Sequence, residues 1–277
     1  MSCLVKRGNR VLIIACGILA AFVIGLYIDI HIVSGLDSPL SVVMSSSMQH
    51  DPNSSSIGVI DTGDVVIVSD PSRVEIQSYV EALSTGYKSF GDYGSVIIYN
   101  RSGDVNPVIH RAIVWIEYNG DGTWSIPSLK DYGDDFWTCS GSTDCYSLKG
   151  TLIFNDITQS HKNVKIYLDT IGKNSGYLTM GDNPVTNKEF DQMGIISHPV
   201  GIDDIRSVAV QEIPWLGVVK VFMTRDKQAN LQHVPNSVCS MIMLFFMIFS
   251  LIYCCDFMYQ RKELKDKQRR FERLREY

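Results

Sequence analysis

The sequence predicts a mainly β domain held between two membrane helices, one near each end of the chain. Two long apolar runs, many short β-branched segments separated by Gly, Asp and Asn, and an acidic middle between basic ends support this fold class. The chain has 277 residues, of which 45% are apolar, and this is ample for a packed core. Its formal charge is −5. Because nucleic-acid binding needs a basic face, the acidic middle makes a nucleic-acid partner unexpected.

The first apolar run covers residues 11–28 and follows three basic residues, Lys6, Arg7 and Arg10. Its length fits a membrane-spanning helix, which needs roughly 20 apolar residues. A cleaved signal peptide is the alternative, but its apolar part is usually shorter, and the residues after this run offer no small-x-small cleavage site. We therefore predict an uncleaved transmembrane helix over residues 11–28, preceded by a cytoplasmic segment over residues 1–10.

A second apolar run lies within residues 237–256 and leads into a basic tail over residues 257–277. A buried core helix is the alternative, but the length of the run and its lack of charge favour a second transmembrane helix. Both runs carry their Lys and Arg on the terminal side. The positive-inside rule therefore places both termini in the cytoplasm and residues 29–236 outside, in a multi-pass protein of the cell membrane. The tail is predicted to be a helix in solvent or on anionic lipid.

The exterior part is predicted to be antiparallel β, because its apolar segments are short, β-branched and bounded by turn residues. A short helix is predicted over Ser72–Leu83. Neither βαβ alternation nor a Gly-rich phosphate loop is present, so a nucleotide-binding fold and a cofactor are not expected. The predicted strands are Val65–Val68, Ser95–Tyr99, Val108–Glu117, Lys165–Leu168, Val208–Val210 and Val218–Phe222.

Two cysteines, Cys139 and Cys145, belong to the predicted exterior part. Their spacing makes them candidates for a small-loop disulfide. A metal site is less favoured and not expected, because no His or further Cys lies nearby at ligand spacing.

The segment Ser45–Met48 contains Ser47, the first candidate for chemistry. A serine hydroxyl is a poor nucleophile unless a base takes its proton and nearby donors receive the oxyanion. A candidate base, His110, lies in the longest predicted strand. Strict alternation would place His110 on the most apolar face and Arg111 on the other. A histidine buried for structural reasons is the alternative to a general base. The apolar face is predicted to contain Val108, Ala112, Val114 and Ile116.

Two aspartates are candidates for orienting a histidine. Asp182 lies in a Gly-Asp-Asn sequence typical of turns, where we expect its carboxylate to bond local backbone amides. Asp191 follows, and its alternative role is that of an ordinary solvated acid. The residues alone leave both possibilities open.

Five segments, in this order, resemble type I signal peptidase. The similarity is greatest to the archaeal and endoplasmic-reticulum branch, whose base is a histidine where the bacterial branch has lysine. The resemblance extends from about Val42 to Phe222 and departs from the family at His50, where a proline is frequent, and in a longer stretch between the two aspartates. The segments are Ser45–Met48, Gly63–Val66, Pro107–Ala112, Gly176–Asn183 and Ile213–Gly217.

The resemblance implies a membrane-anchored antiparallel β catalytic domain of signal-peptidase type, with an archaeal-type location. It implies Ser47 as nucleophile, His110 as general base and Asp191 as the acid that orients it. Asp182 would be a supporting acid, and Ser45 would add its hydroxyl to the oxyanion hole. The implied reaction removes signal peptides from exported preproteins after small residues, through an acyl-enzyme. The implied partners are preprotein signal peptides, the lipid bilayer and, as further candidates, a translocon or accessory subunits.

Two other function classes compete with this reading. A catalytically silent, membrane-anchored β-domain that binds an exterior partner would explain the anchors and strands, but not the Ser and His segments. A sortase-like transpeptidase requires a reactive cysteine, and neither Cys139 nor Cys145 has a histidine close by in sequence.

Overall fold

The computed structural model describes residues 2–101, 106–159, 161–224 and 231–275. Its helices include one long helix at each end of the chain and two short ones between them. The α-helices are α1 Ser2–Ser34, α2 Tyr79–Thr85, α3 Val218–Met223 and α4 Pro235–Arg275. Short 3-10 helices cover Pro71–Arg73, Pro127–Leu129, Asp191–Met193, Ile202–Asp204 and Leu231–His233.

Every strand of the described residues falls between α1 and α4 in the order of the chain, and the strands pair antiparallel. They are β1 Leu40–Val42, β2 Val65–Ser69, β3 Lys88–Ser89, β4 Asp92–Tyr93, β5 Val96–Tyr99, β6 Val108–Tyr118, β7 Trp124–Ser125, β8 Trp137–Cys139, β9 Thr151–Ile157, β10 His161–Tyr167, β11 Gly176–Met180 and β12 Ile205–Ile213. The main sheet has the order β1-β2-β12-β5-β6-β11, with β7 added to β6. A second sheet has the order β10-β9-β8, and β3 pairs with β4.

The two long helices are long and apolar enough to cross a membrane. Among the described residues the candidate spans are Cys16–Ser34 in α1, with a mean hydropathy of 2.1, and a window of α4 with a mean hydropathy of 2.4. No side chain in the most apolar 18-residue window of either helix is buried, and the predicted tail helix is a continuation of α4. The chain divides into two units, one formed by the terminal helices up to Asp29 and from Val238, the other by Ile30–Ser237.

One predicted strand, Val218–Phe222, is wrong, because this segment forms the helix α3. Its β-branched composition favours a strand, but Val218 and Val221 are both buried whereas Val219 and Phe222 are exposed. A repeat of three is helical, and it lets the segment cover the domain with one face. The preceding Gly217 packs so closely on β1 that a Cβ there would lie 2.7 Å from Val42 Cγ1.

The predicted helix Ser72–Leu83 is confirmed only at its end. The chain makes a 3-10 turn at Pro71–Arg73, and α2 starts at Tyr79. Its N-terminus is set by a capping box. Ser78 Oγ accepts a hydrogen bond from Glu81 N, and the Glu81 carboxylate accepts one from Ser78 N.

Strand β6 does not alternate strictly along its length. Thr179 of β11 pairs with Ala112, whereas the preceding Leu178 pairs with Val114, so Ile113 is an extra residue and forms a bulge. As a result Val114 joins the hydrophobic cluster of Ile113, while Trp115 packs with Ala112. The predicted grouping of Val114 and Ile116 with His110 is therefore wrong.

The candidate disulfide is not formed, because Cys139 and Cys145 are both free thiols. The Cys139 Sγ donates to the carbonyl oxygen of Lys149 at 3.0 Å, and Cys145 is buried in the largest hydrophobic cluster. That cluster, with Trp124 and Phe154 among its largest side chains, packs the segment β7–β10 onto the bulged end of β6. The segment is thus held by apolar packing.

Candidate active site

A buried histidine–aspartate pair lies where β6 faces the 3-10 helix Asp191–Met193. The distance from His110 Nδ1 to Asp191 Oδ2 is 2.7 Å, and the two side chains are 3% and 2% exposed. The acid is held by its own backbone. The Asp191 carbonyl oxygen accepts hydrogen bonds from the backbone N–H groups of residues 194, 195 and 196, at 3.2, 2.7 and 2.9 Å. The side chain of Phe190, fully buried, anchors the other side of this turn.

This pairing fixes the tautomer of the histidine. A carboxylate can only accept, so Nδ1 of His110 carries the hydrogen and Nε2 keeps its lone pair while the ring is neutral. Within the described part of the chain, Nε2 makes no hydrogen bond. A neutral imidazole held in this way is suited to take a proton from a nucleophile.

The loop that carries Ser47 follows the edge strand β1. Its neighbour Met48 is 1% exposed and packs with Val43 and Val66 in a hydrophobic cluster of the main sheet. A turn hydrogen bond from Gln49 N to the Ser46 carbonyl, at 3.2 Å, closes the loop. Ser47 is partly exposed. The loop is therefore fixed by its buried methionine while the serine remains accessible.

A clamp of two asparagines fastens this loop to the far edge of the sheet. The Ser47 carbonyl accepts from Asn183 N at 3.0 Å and from Asn187 Nδ2 at 2.9 Å, and the Ser46 carbonyl accepts from Asn183 Nδ2 at 2.8 Å. Both asparagines follow β11, the edge strand opposite to β1. The Ser47 loop thus joins the two edges of the main sheet.

The register of β11 explains why this clamp brings Ser47 towards the histidine. Met180 pairs with Arg111, so the next residue, Gly181, continues along β6 in the direction of His110. Gly181 approaches the serine loop so closely that a Cβ there would lie 2.5 Å from the Ser47 carbonyl oxygen. Only a glycine allows the loop to lie this close to the end of β11.

The two serines of the motif contact each other. Ser45 Oγ lies 3.3 Å from Ser47 Oγ. Within the described residues Ser47 Oγ makes this hydrogen bond and none to His110. The hydroxyl predicted to assist an oxyanion is therefore adjacent to the predicted nucleophile.

The other aspartate, Asp182, lies in a separate buried network around Arg111. Arg111 donates to Asp182 through Nε at 2.8 Å and through Nη2 at 2.5 Å, and both side chains have no exposed surface. Burial alone would raise the pKa of Asp182, but the charge and hydrogen bonds of Arg111, together with those of His50, outweigh it and hold this pKa well below its usual range. The remaining donor of the guanidinium, Nη1, bonds the carbonyl oxygens of Ser89, Tyr93 and Gly94 at 3.1, 3.1 and 2.8 Å.

The expectation that Asp182 bonds local backbone amides is wrong. Among the described residues its carboxylate accepts from side chains: Arg111, His50 Nε2 at 3.1 Å and Thr158 Oγ1 at 3.2 Å. Its neighbour Asn183 makes the backbone contacts of the turn, including one from Val185 N at 3.0 Å. Because His50 follows directly on the serine loop, Asp182 supports this loop through His50, while Asp191 contacts His110.

The two networks are separate because adjacent residues of a strand point to opposite faces. His110 pairs with Ile97 across β5, and Arg111 pairs with Val96. Accordingly Asp191 meets one face of β6 and Asp182 the other. This assigns each candidate aspartate a different partner.

Three acidic residues near the serine loop were not singled out from the sequence. Asp64 accepts from Asp61 N and from Trp215 N, both at 2.8 Å, and burial raises its pKa to about 7. Burial also raises the pKa of Glu212 to about 7 and raises that of Asp61. The sequence did point to one of these contacts, because the Gly63–Val66 segment contains Asp64 and the Ile213–Gly217 segment contains its partner Trp215.

Tyr99, Asn183 and Asn187 are further site residues that sequence reasoning missed. Asn183 ends the Gly-Asp-Asn sequence and Asn187 follows four residues later, a spacing that could have suggested a clamp, whereas nothing in sequence distinguishes Tyr99 from a core tyrosine. The hydroxyl, imidazole and carboxylate of Ser47, His110 and Asp191 are the groups that acyl transfer requires.

Comparison of the chain with protein-family models, with curated proteins and with solved structures finds no match.

Proposed function

We propose that this chain is a membrane-bound serine endopeptidase that removes signal peptides from exported preproteins. The observation that carries the proposal is the buried His110–Asp191 pair at 2.7 Å, on the strand β6 along which Gly181 continues to meet the loop that carries Ser47. A histidine buried for structural reasons can be satisfied by backbone carbonyl oxygens, as His161 is by those of Thr158 and Asn187, so the dedicated carboxylate at His110 favours a general base. Nor does packing explain why the serine loop is clamped to the end of the strand next to His110.

In the proposed reaction His110 Nε2 takes the proton of Ser47 Oγ as the serine attacks the scissile carbonyl. The Ser47 N–H and the Ser45 hydroxyl receive the oxyanion. The imidazolium, stabilised by Asp191, gives its proton to the leaving amine, and an acyl-enzyme on Ser47 remains. Water activated by the same imidazole then hydrolyses the ester.

The substrate class follows from the resemblance together with the two terminal helices. A short connection, β1 and its flanking residues, separates α1 from Ser47, and a chain spans at most about 3.5 Å per residue. If α1 crosses the bilayer, Ser47 lies near the membrane surface. There it meets a signal peptide whose apolar segment is still in the membrane, and cleaves after small residues at the −3 and −1 positions.

The test is cleavage of a preprotein in membranes that contain the wild type or Ser47→Ala. We expect Ser47→Ala to leave the preprotein uncleaved. The control is Ser46→Ala in the same loop, because Ser46 contributes its backbone carbonyl to the clamp, and this variant should cleave normally. Cleavage by Ser47→Ala at the wild-type rate would overturn the proposal and favour a catalytically silent β-domain that binds an exterior partner.

A further inference from the structure

A second hydroxyl reaches the carboxylate of the histidine pair. Tyr99, on β5, donates its hydroxyl to Asp191 Oδ2 at 2.7 Å, the same oxygen that accepts from His110. Thr179, on β11, in turn donates to the Tyr99 hydroxyl at 3.2 Å. Both Tyr99 and Thr179 have no exposed surface. The three strands β5, β6 and β11 each supply one member to this chain of hydrogen bonds.

The members share one face of the sheet. Tyr99 pairs with Val108 and Thr179 pairs with Ala112, the positions two residues before and two residues after His110. Residues directly opposite in antiparallel strands point to the same face. The bulge in β6 lies beyond Ala112, so this alignment is kept up to Thr179.

The direction of the hydrogen bonds is set by Gln192, the residue after Asp191. The backbone N–H of Thr179 can only donate, and it contacts Gln192 Oε1 at 3.2 Å, so the amide nitrogen of Gln192 is the group that faces Thr179 Oγ1 at 3.4 Å. The threonine hydroxyl therefore accepts from Gln192 and donates onward to Tyr99. With its oxygen accepting from Thr179, the hydrogen of Tyr99 is directed to Asp191.

We propose that Tyr99 is a positioning residue of the active site, which holds Oδ2 of Asp191 against His110 and is itself oriented by Thr179. This inference rests on the proposed function. Without Tyr99, His110 would be the only side chain of the described residues that bonds this oxygen, and the carboxylate could rotate about its own side chain. Burial, with the Asp191 charge adding to it, raises the pKa of Tyr99 well above its usual range, so the hydroxyl keeps its hydrogen at neutral pH and can donate it.

The experiment compares Tyr99→Phe with Tyr177→Phe. Tyr177 is the matched control, because it is also buried and its hydroxyl donates to the Ile76 carbonyl at 3.2 Å, away from Asp191. We expect Tyr99→Phe to lower kcat about tenfold to a hundredfold with little change in KM, as a small misplacement of a catalytic group does. The loss should stay below the roughly 10⁴-fold loss caused by removing the triad acid.

The pH profile provides a readout that a merely structural role would not change. A carboxylate that has lost one donor interacts more strongly with the imidazolium, so the acid limb of kcat/KM should move to higher pH in Tyr99→Phe and remain in place in Tyr177→Phe. Both variants should show a comparable loss in Tm. A Tyr99→Phe variant with a lower Tm but an unchanged kcat and acid limb would overturn the inference.

A measurement that needs no activity separates this inference from the proposed function. The proton on His110 Nδ1 can be observed by NMR of histidine-labelled protein and assigned by its loss in His110→Asn. We expect its resonance to shift in Tyr99→Phe and to remain in Tyr177→Phe. An unchanged resonance in Tyr99→Phe would refute the positioning role, whereas normal cleavage by Ser47→Ala together with a shifted resonance would refute the proposed enzyme and leave the contact of Tyr99 with the His110–Asp191 pair standing.

Discussion

A single methyl group added at Gly181 should separate the stability of this fold from its activity. The Cβ of Gly181→Ala would lie 2.5 Å from the Ser47 carbonyl oxygen and 2.6 Å from Asn187 Nδ2, whereas ordinary contact begins at 3.4 Å. Because both atoms belong to the clamp, the serine loop has to retreat by about 1 Å in a close-packed interior. A misplacement of this size can lower activity about 100-fold, and we expect kcat/KM to fall by that order.

The matched control is Gly176→Ala, at the other end of the same strand. Its Cβ would also lie 2.5 Å from a carbonyl oxygen, that of Val200, which is remote from Ser47. Overpacking of this kind costs about 1–3 kcal/mol, so both variants should lose a similar amount of stability. Only Gly181→Ala should lose activity per folded molecule.

The assay is cleavage of a preprotein by purified protein in detergent, normalised to the folded fraction from thermal unfolding. Equal specific activities of Gly176→Ala and Gly181→Ala would show that the clamp does not set the position of the serine. So would a Gly181→Ala variant with at least half the wild-type activity. Either result would refute the reasoning from loop position to catalysis.

Three further predictions follow from the site and its surroundings. Asp191→Asn should lower kcat about 10⁴-fold with little change in Tm. Asp182→Ala should instead destabilise the fold by about 3–5 kcal/mol, because it leaves Arg111 buried without its carboxylate. Thermal unfolding and cleavage assays of both variants test this, and an inactive but fully stable Asp182→Ala would contradict it. Burial raises the pKa of Glu212 from 4.5 to about 7, so the folded protein keeps a proton that the unfolded chain releases, and stability should fall as pH rises from about 4.5 to 7 and level off above. Glu212→Gln should flatten this slope in urea unfolding across that pH range, and an unchanged slope would locate the titrating groups elsewhere. Protease added to intact cells should cut the exposed loops within residues 133–144 and spare both termini, and the reverse pattern would contradict the predicted topology.

Local patterns predicted the strands well where pairing and burial agree with composition. Val65–Val68 and Val108–Glu117 are strands because β-branched residues pack on both sides of a sheet that is covered on both faces. The same composition misled at Val218–Phe222. There the burial period is set by tertiary contacts such as that of Val218 with Gly63, which the sequence does not show.

The candidate site was predictable as a set of residues, but its pairing was not. Alternation correctly places His110 and Arg111 on opposite faces of β6, yet the aspartate that meets each face depends on the path of the chain after β11. That path includes the turn at Asn183 and the 3-10 helix at Asp191, and neither has a periodic pattern. Tyr99 shows the same limit, because its contact with Asp191 joins residues far apart in sequence through the strand order.

The side-by-side placement of His110 and Arg111 makes strand pairing and site assembly a single event. A slip of one residue along β6 would exchange the faces of these two side chains. The guanidinium would then lose its hydrogen bonds to three carbonyl oxygens and to the Asp182 carboxylate. The imidazole, which has at most two N–H donors, would replace a guanidinium that has five. A misaligned chain would thus bury an unsatisfied guanidinium and an unsatisfied carboxylate, so the register that satisfies Arg111 is also the one that brings the histidine to its acid.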